Sequence, residues 1–124
     1  MQYYSTNGKA PLATLEEAVV RGLAPDKGLY MPQEIRPLPQ EFFDNIENMS
    51  FQEMSYQVAH NFFGDDVDAE SLREIVFDTL AFETPIVKVE DNIYSLELFH
   101  GPTLAFKDVG AKVHVTLQLF IHKR

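Results

Sequence analysis

Residues Glu97-Leu98-Phe99-His100-Gly101-Pro102-Thr103-Leu104-Ala105-Phe106-Lys107-Asp108-Val109-Gly110-Ala111 read as an apolar strand, a Gly-Pro turn and a lysine that opens a helix. Gly101 lets the backbone turn closely, and Pro102 stiffens the approach. A lysine held at such a junction can be kept partly dry, which frees its amine to attack a carbonyl. The same spacing also suits a solvated lysine snorkelling from a helix end. Thr103 is placed to cap the helix or to face a ligand, and Asp108 in the first turn suits the helix dipole. His100 stands at the mouth of the turn, either as a hydrogen-bonded structural residue or as a group touching substrate or cofactor.

Upstream of this stretch, Pro85-Ile86-Val87-Lys88-Val89 and Ile93-Tyr94-Ser95-Leu96-Glu97-Leu98-Phe99 flank Glu90-Asp91-Asn92, a hairpin signal. Before Glu83 the pattern is helical. Thr14-Leu15-Glu16-Glu17 and Ser50-Phe51-Gln52-Glu53 are capping boxes, with Gly22 and Gly64 as stops. The second box opens a helix with Phe51, Met54, Val58 and Phe62 on one stripe. Asp68 is the expected N-cap of another, whose stripe is Leu72, Ile75, Val76, Thr79 and Leu80. Pro37 and Pro39 frame a loop before a helical pattern with Phe42, Phe43 and Ile46. The phenylalanines on these helices are read as core. At the start, Gln2 to Thr6 is a short strand followed by an Asn7-Gly8 turn; Leu29-Tyr30-Met31 runs extended to Pro32.

The net charge of −9 disfavours non-specific binding to nucleic acid or anionic membrane. The absence of cysteine excludes disulfides and thiolate metal sites, and fits a cytoplasmic location. No apolar run approaches the roughly twenty residues of a membrane span, and the start lacks a basic region followed by an apolar core, so no signal peptide is expected. Asp65, Asp66, Asp68 and Glu70 lack the glycine and bidentate glutamate of a calcium loop, and are read as a solvated loop plus an N-cap. His60, His114 and His122 have no metal-ligand spacing, so no metal site is expected.

Leu98 through Lys107, with Asp108 and Gly110-Ala111 following, resembles the segment of threonine synthase that carries the pyridoxal-phosphate lysine. Tyr4-Ser5-Thr6-Asn7-Gly8 and Gly22-Leu23-Ala24-Pro25-Asp26-Lys27-Gly28-Leu29-Tyr30-Met31-Pro32 resemble the amino-terminal domain of the same family. The likeness runs from about Tyr3 to Ala111, with residues 39–83 matching only in layout. It implies an α+β fragment. Residues 1–82 would form the helical amino-terminal domain. Residues 83–124 would give the first strands and the lysine helix of an α/β catalytic domain dependent on pyridoxal phosphate.

The implied activity converts O-phospho-L-homoserine and water to L-threonine and phosphate through a Schiff base on Lys107. Lys107 and Phe106 would meet the cofactor, with Leu104, Ala105 and Phe106 as an apolar wall around the amine. His100 and Thr103 would stand on the substrate side. A related reading is a threonine-synthase-like phospho-lyase; from another class, a non-catalytic assembly or binding module.

After Ala111 the sequence leaves the family pattern. Val109, Val113, Leu117 and Ile121 fall four apart, as in a helix, while Val113, Val115, Leu117 and Leu119 alternate, as in a strand. In the family, the glycine-rich phosphate loop and the partner of the pyridine nitrogen come after the lysine helix. The chain alone is therefore expected to be inactive. It is also expected to expose Leu96, Leu98, Phe106 and Leu117, which favours self-association or a partner that completes the sheet.

Overall fold

Two reciprocal capping boxes set the helical frame, in a computed structural model that describes residues 1–123. Thr14 Oγ1 accepts from the Glu17 amide at 3.2 Å while the Glu17 carboxylate accepts from the Thr14 amide at 3.0 Å, opening α1 (Leu15–Arg21). Gly22, at φ 71°, ends α1 in a conformation that a side chain would strain. Ser50 and Glu53 repeat the box at the start of α3 (Phe51–Phe63). Asp68 Oδ1 accepts from the Ser71 amide at 2.9 Å and opens α4 (Ala69–Thr79). Between them, α2 (Gln40–Asn45) runs into a short 3-10 turn (Ile46–Asn48). Each cap satisfies an orphan helix-terminal amide with a local side chain, which is why these starts stand where the sequence places them.

Strands β1 (Tyr3–Ser5) and β2 (Tyr30–Pro32) pair antiparallel, with Tyr3 opposite Pro32 and Ser5 opposite Tyr30. A second antiparallel pair, β3 (Ile86–Glu90) and β4 (Ile93–Leu96), turns through Asp91 and Asn92. Asn92 there takes φ 64°, which asparagine tolerates better than most residues. The strand expected as far as Phe99 ends at Leu96. Among the described residues β3 and β4 pair only with each other, and β3 is exposed along its whole length.

The core lies where α1, α4 and α5 (Asp108–His122) meet. The α4 stripe is buried as expected, with Leu72 fully enclosed and Val76 and Leu80 beside it. Leu15 and Val19 enter from α1, and Leu117 enters from α5. The segment after Ala111 is thus a helix. Its β-branched residues lower helix propensity, but packing Val109, Val113 and Leu117 against α1 and α4 outweighs that preference. Leu117, expected at an exposed edge, is only 2% accessible, whereas Leu96 and Phe106 are indeed open.

The α3 stripe departs from its expected role. Ala59 is the buried residue of that helix, while Phe51, Met54, Val58 and Phe62 line a cleft of about 750 Å³ shared with α1, α5 and β2. Of the phenylalanines read as core, Phe42 is buried, Phe43 is exposed, and Phe51, Phe62, Phe63, Phe77 and Phe82 are half-buried. Periodicity reports that a face is apolar; it does not report how completely the neighbouring elements cover it.

The acidic turn after α3 is solvated as expected, and it is also ion-paired. Arg36 holds Asp65 through both nitrogens, at 3.1 and 2.6 Å, and the Met1 ammonium donates to Asp66 at 2.9 Å. Beneath them, Tyr3 donates its hydroxyl to the Phe62 carbonyl. Burial, reinforced by the charges of Asp66 and Asp65, pushes the Tyr3 phenol up to about 12. Among the described residues no helix is long and apolar enough to cross a membrane.

Candidate functional site

The loop from Glu97 to Lys107 links the hairpin to α5, and its geometry follows from a few hydrogen bonds. Leu104 N–H donates to the Gly101 carbonyl at 3.0 Å, closing one turn; Asp108 N–H donates to the Ala105 carbonyl at 3.0 Å, closing the next. Between them Leu104 takes φ 56°, a left-handed conformation that leucine adopts at a cost of about 1–2 kcal/mol. Backbone strain of this kind collects beside functional groups when the surroundings enforce it.

Asp108 reaches back into this turn. Its carboxylate is buried and accepts from the Thr103 amide at 2.8 Å and from the Thr103 hydroxyl. The Thr103 hydroxyl bond, seconded by the Thr103 and Ala105 amides and by the charge of Lys107, holds the Asp108 carboxyl below the ordinary carboxylate range. The expected cap by Thr103 does not form, whereas the Asp108 carboxylate takes up a backbone amide, that of Thr103. Thr103 does not cap α5; it donates to the first helical residue, and Lys107 occupies the N-cap position without a side-chain cap. The helix accordingly starts one residue later than its lysine.

Lys107 is exposed, and among the described residues its amine makes no hydrogen bond and no ion pair within 4.0 Å. The expected apolar wall is absent, since Leu104 and Phe106 are each 75% exposed. A turn with its polar groups facing inward toward Asp108 leaves its apolar side chains outside. His100 makes its polar contact with Glu97 and not with Thr103 or Asp108. Its Nε2 is 2.7 Å from Glu97 Oε2, and its ring stacks on Phe99 with centroids 4.7 Å apart.

The amino-terminal stretches 4–8 and 22–32 come together around Asp26. Ser5 donates its hydroxyl to Asp26 Oδ1, the amides of Gly28 and Lys9 donate to the same carboxylate, and Asn7 Nδ2 donates to the Asp26 carbonyl. Thr6 Oγ1 accepts from the Leu29 amide. A Cβ at Gly28 would collide with Ser5 Oγ, so that position has no room for a side chain. These stretches form a structural knot, which sequence reading left unassigned. The Asp108 clasp escaped it as well, although a hydroxyl and a carboxylate five residues apart, both after a Gly-Pro pair, are the ingredients.

The model of the threonine synthase amino terminus matches residues 2–80. Threonine synthase of Escherichia coli is 34% identical over 112 residues, which are 90% of this chain and 26% of that protein. The Schizosaccharomyces pombe enzyme is 36% identical over 116 residues, covering 89% of this chain and 23% of that protein. Among solved structures, the PLP-bound threonine synthase from Brucella melitensis superposes with a TM-score of 0.91 at 34% identity, over 99% of this chain and 28% of that one. The Escherichia coli enzyme gives a TM-score of 0.90 at 32% identity, over 98% and 28%. The chain thus spans between a quarter and three-tenths of most of these proteins' length. A family model over residues 2–80 and a fold shared along nearly the whole chain give one answer: this chain belongs to the threonine synthase family.

Proposed function

We propose that these residues belong to a pyridoxal-phosphate-dependent threonine synthase, a carbon–oxygen lyase acting on phosphate. It would convert O-phospho-L-homoserine and water to L-threonine and phosphate, with Lys107 as the amine that carries the cofactor. The observation that carries this reading is the fit of 99% of the chain onto a PLP-bound relative, together with an exposed primary amine at the loop–helix junction. That amine is the donor chemistry an aldehyde needs, and it is free of competing ion pairs among the described residues. Phe106 and Leu104 offer open apolar surface beside it for a ring.

When bound, the cofactor supplies an electron sink for negative charge at the substrate α-carbon. Everything else is work for the protein. Lys107 Nζ, once free, takes up and returns the α-proton. His100, steadied by Glu97, stands at the substrate side of the turn. Thr103 gives its hydroxyl hydrogen to Asp108, which leaves its oxygen lone pairs available to a ligand.

We assign residues 1–82 to the amino-terminal domain and 83–124 to the opening of the catalytic domain, and place the enzyme in the cytoplasm. The open surroundings of Lys107, Leu104 and Phe106 favour a second statement: the 124-residue chain alone neither excludes water from the amine nor turns over substrate. A test is a chimera in which this chain replaces the matching segment of the Escherichia coli enzyme. The reading expects growth of a threonine auxotroph with the chimera and none with its Lys107→Ala variant. Equal growth of the two would refute it.

A further inference from the structure

We propose that Asp108 is the positioning residue of this site: its carboxylate fixes the loop that carries Lys107, and it reserves position 101 for a residue without a side chain. The inference deepens the reading of Lys107 as the cofactor-bearing amine and rests on it. Asp108 does not need to touch a ligand. It is 3% exposed, turned inward, and both its oxygens are taken by Thr103, through the amide and the hydroxyl. Lys107, its neighbour in the chain, is exposed. Anchoring Asp108 inside therefore sets the backbone from which Lys107 projects outward.

Gly101 supplies the independent observation. A Cβ built there would stand 2.5 Å from Asp108 Oδ2 and 2.7 Å from Asp108 Cβ. Position 101 does not have positive φ, so glycine is required for space rather than for conformation. Leu104 closes the argument. Its φ of 56° is unfavourable for leucine, and its side chain is 75% exposed, so burial does not compensate. What holds that turn is the Thr103–Asp108 clasp on its inner side. The Thr103 hydroxyl bond also holds the carboxyl below its ordinary range.

The test uses proton NMR on the 124-residue chain. A positive φ brings an amide hydrogen close to its own Hα, so Leu104 should give a strong intraresidue cross-peak. In Asp108→Ala that peak should be lost, and exchange of the Thr103 and Asp108 amides should rise at least tenfold, with the Leu72 and Val76 amides unchanged. Asp108→Asn, which keeps an acceptor oxygen and the shape, should restore the peak. Gly101→Ala should reproduce the loss of the Leu104 peak by displacing the carboxylate. In the chimera, reductive labelling of Lys107 by pyridoxal phosphate should fall at least tenfold in Asp108→Ala and recover in Asp108→Asn. An unchanged Leu104 cross-peak in Asp108→Ala, or undiminished labelling of Lys107, overturns the proposal. An unsubstituted chimera without label on Lys107 counts instead against the cofactor reading, and the Leu104 peak still decides whether Asp108 fixes the loop.

Discussion

Ser5 Oγ lies 2.6 Å from Asp26 Oδ1 and joins β1 to the turn that precedes β2. That bond is the first cause of a depressed Asp26 carboxyl, aided by the Gly28, Lys9 and Ala10 amides. Asp65, held chiefly by Arg36, and Asp108, held by Thr103, are depressed in the same direction. A carboxyl lowered by folding stabilises the native state above its unfolded value of about 3.9, and loses that contribution as pH falls through the folded value. Thermal melts from pH 7 to pH 2 should therefore show Asp26→Asn less stable than the unsubstituted chain near neutrality, with the gap closing below about pH 4. A gap that widens in acid would contradict this account of the knot.

The burial of Leu117 makes a sharper demand. Leu117→Ala should cost about 2–5 kcal/mol, because it opens a void between α1, α4 and α5. Leu119→Ala, at a position 55% exposed, should change stability by no more than about 0.5 kcal/mol. Urea unfolding of both variants separates the helix from the alternating strand, which would bury Leu117 and Leu119 on one face. Similar losses would favour the strand.

The caps allow a local check. Thr14→Ala and Ser50→Ala should each lower stability by about 1 kcal/mol, read as a shifted denaturation midpoint with an unchanged slope.

Local chemistry makes some parts of this molecule legible in its sequence, and long-range contact decides the others. The starts of α1, α3 and α4 were legible because Thr14 with Glu17, Ser50 with Glu53, and Asp68 satisfy amides only three residues away. The α4 stripe was legible because its neighbours cover it fully. The residues after Ala111 were ambiguous because β-branched side chains and a four-residue period pull in opposite directions, and only contact with α1 and α4 decides between them. Lys107 is singled out by resemblance; the exposure of Phe106 matches one expectation, whereas that of Leu104 runs against the expected apolar wall. The Asp108 clasp depends on a turn through Leu104, a conformation that leucine's own preferences argue against.

The open loop predicts where a protease enters first. Phe99, Leu104 and Phe106 are exposed side chains outside any helix or strand, while the interior of α3 is held within a packed helix. Limited digestion with chymotrypsin should cut between residues 99 and 106 before it cuts between 50 and 80. Early cleavage inside α3 would show that this helix is not packed as described. Helix α5 should resist longer because it is docked against α1 and α4.

The most direct test of the central claim is chemical. The chimera with the Escherichia coli enzyme is loaded with pyridoxal phosphate, reduced with borohydride, digested and mapped by mass spectrometry. The phosphopyridoxyl group is expected on Lys107, with Lys88, Lys112 and Lys123 essentially unlabelled. A label on another lysine with Lys107 free would contradict it.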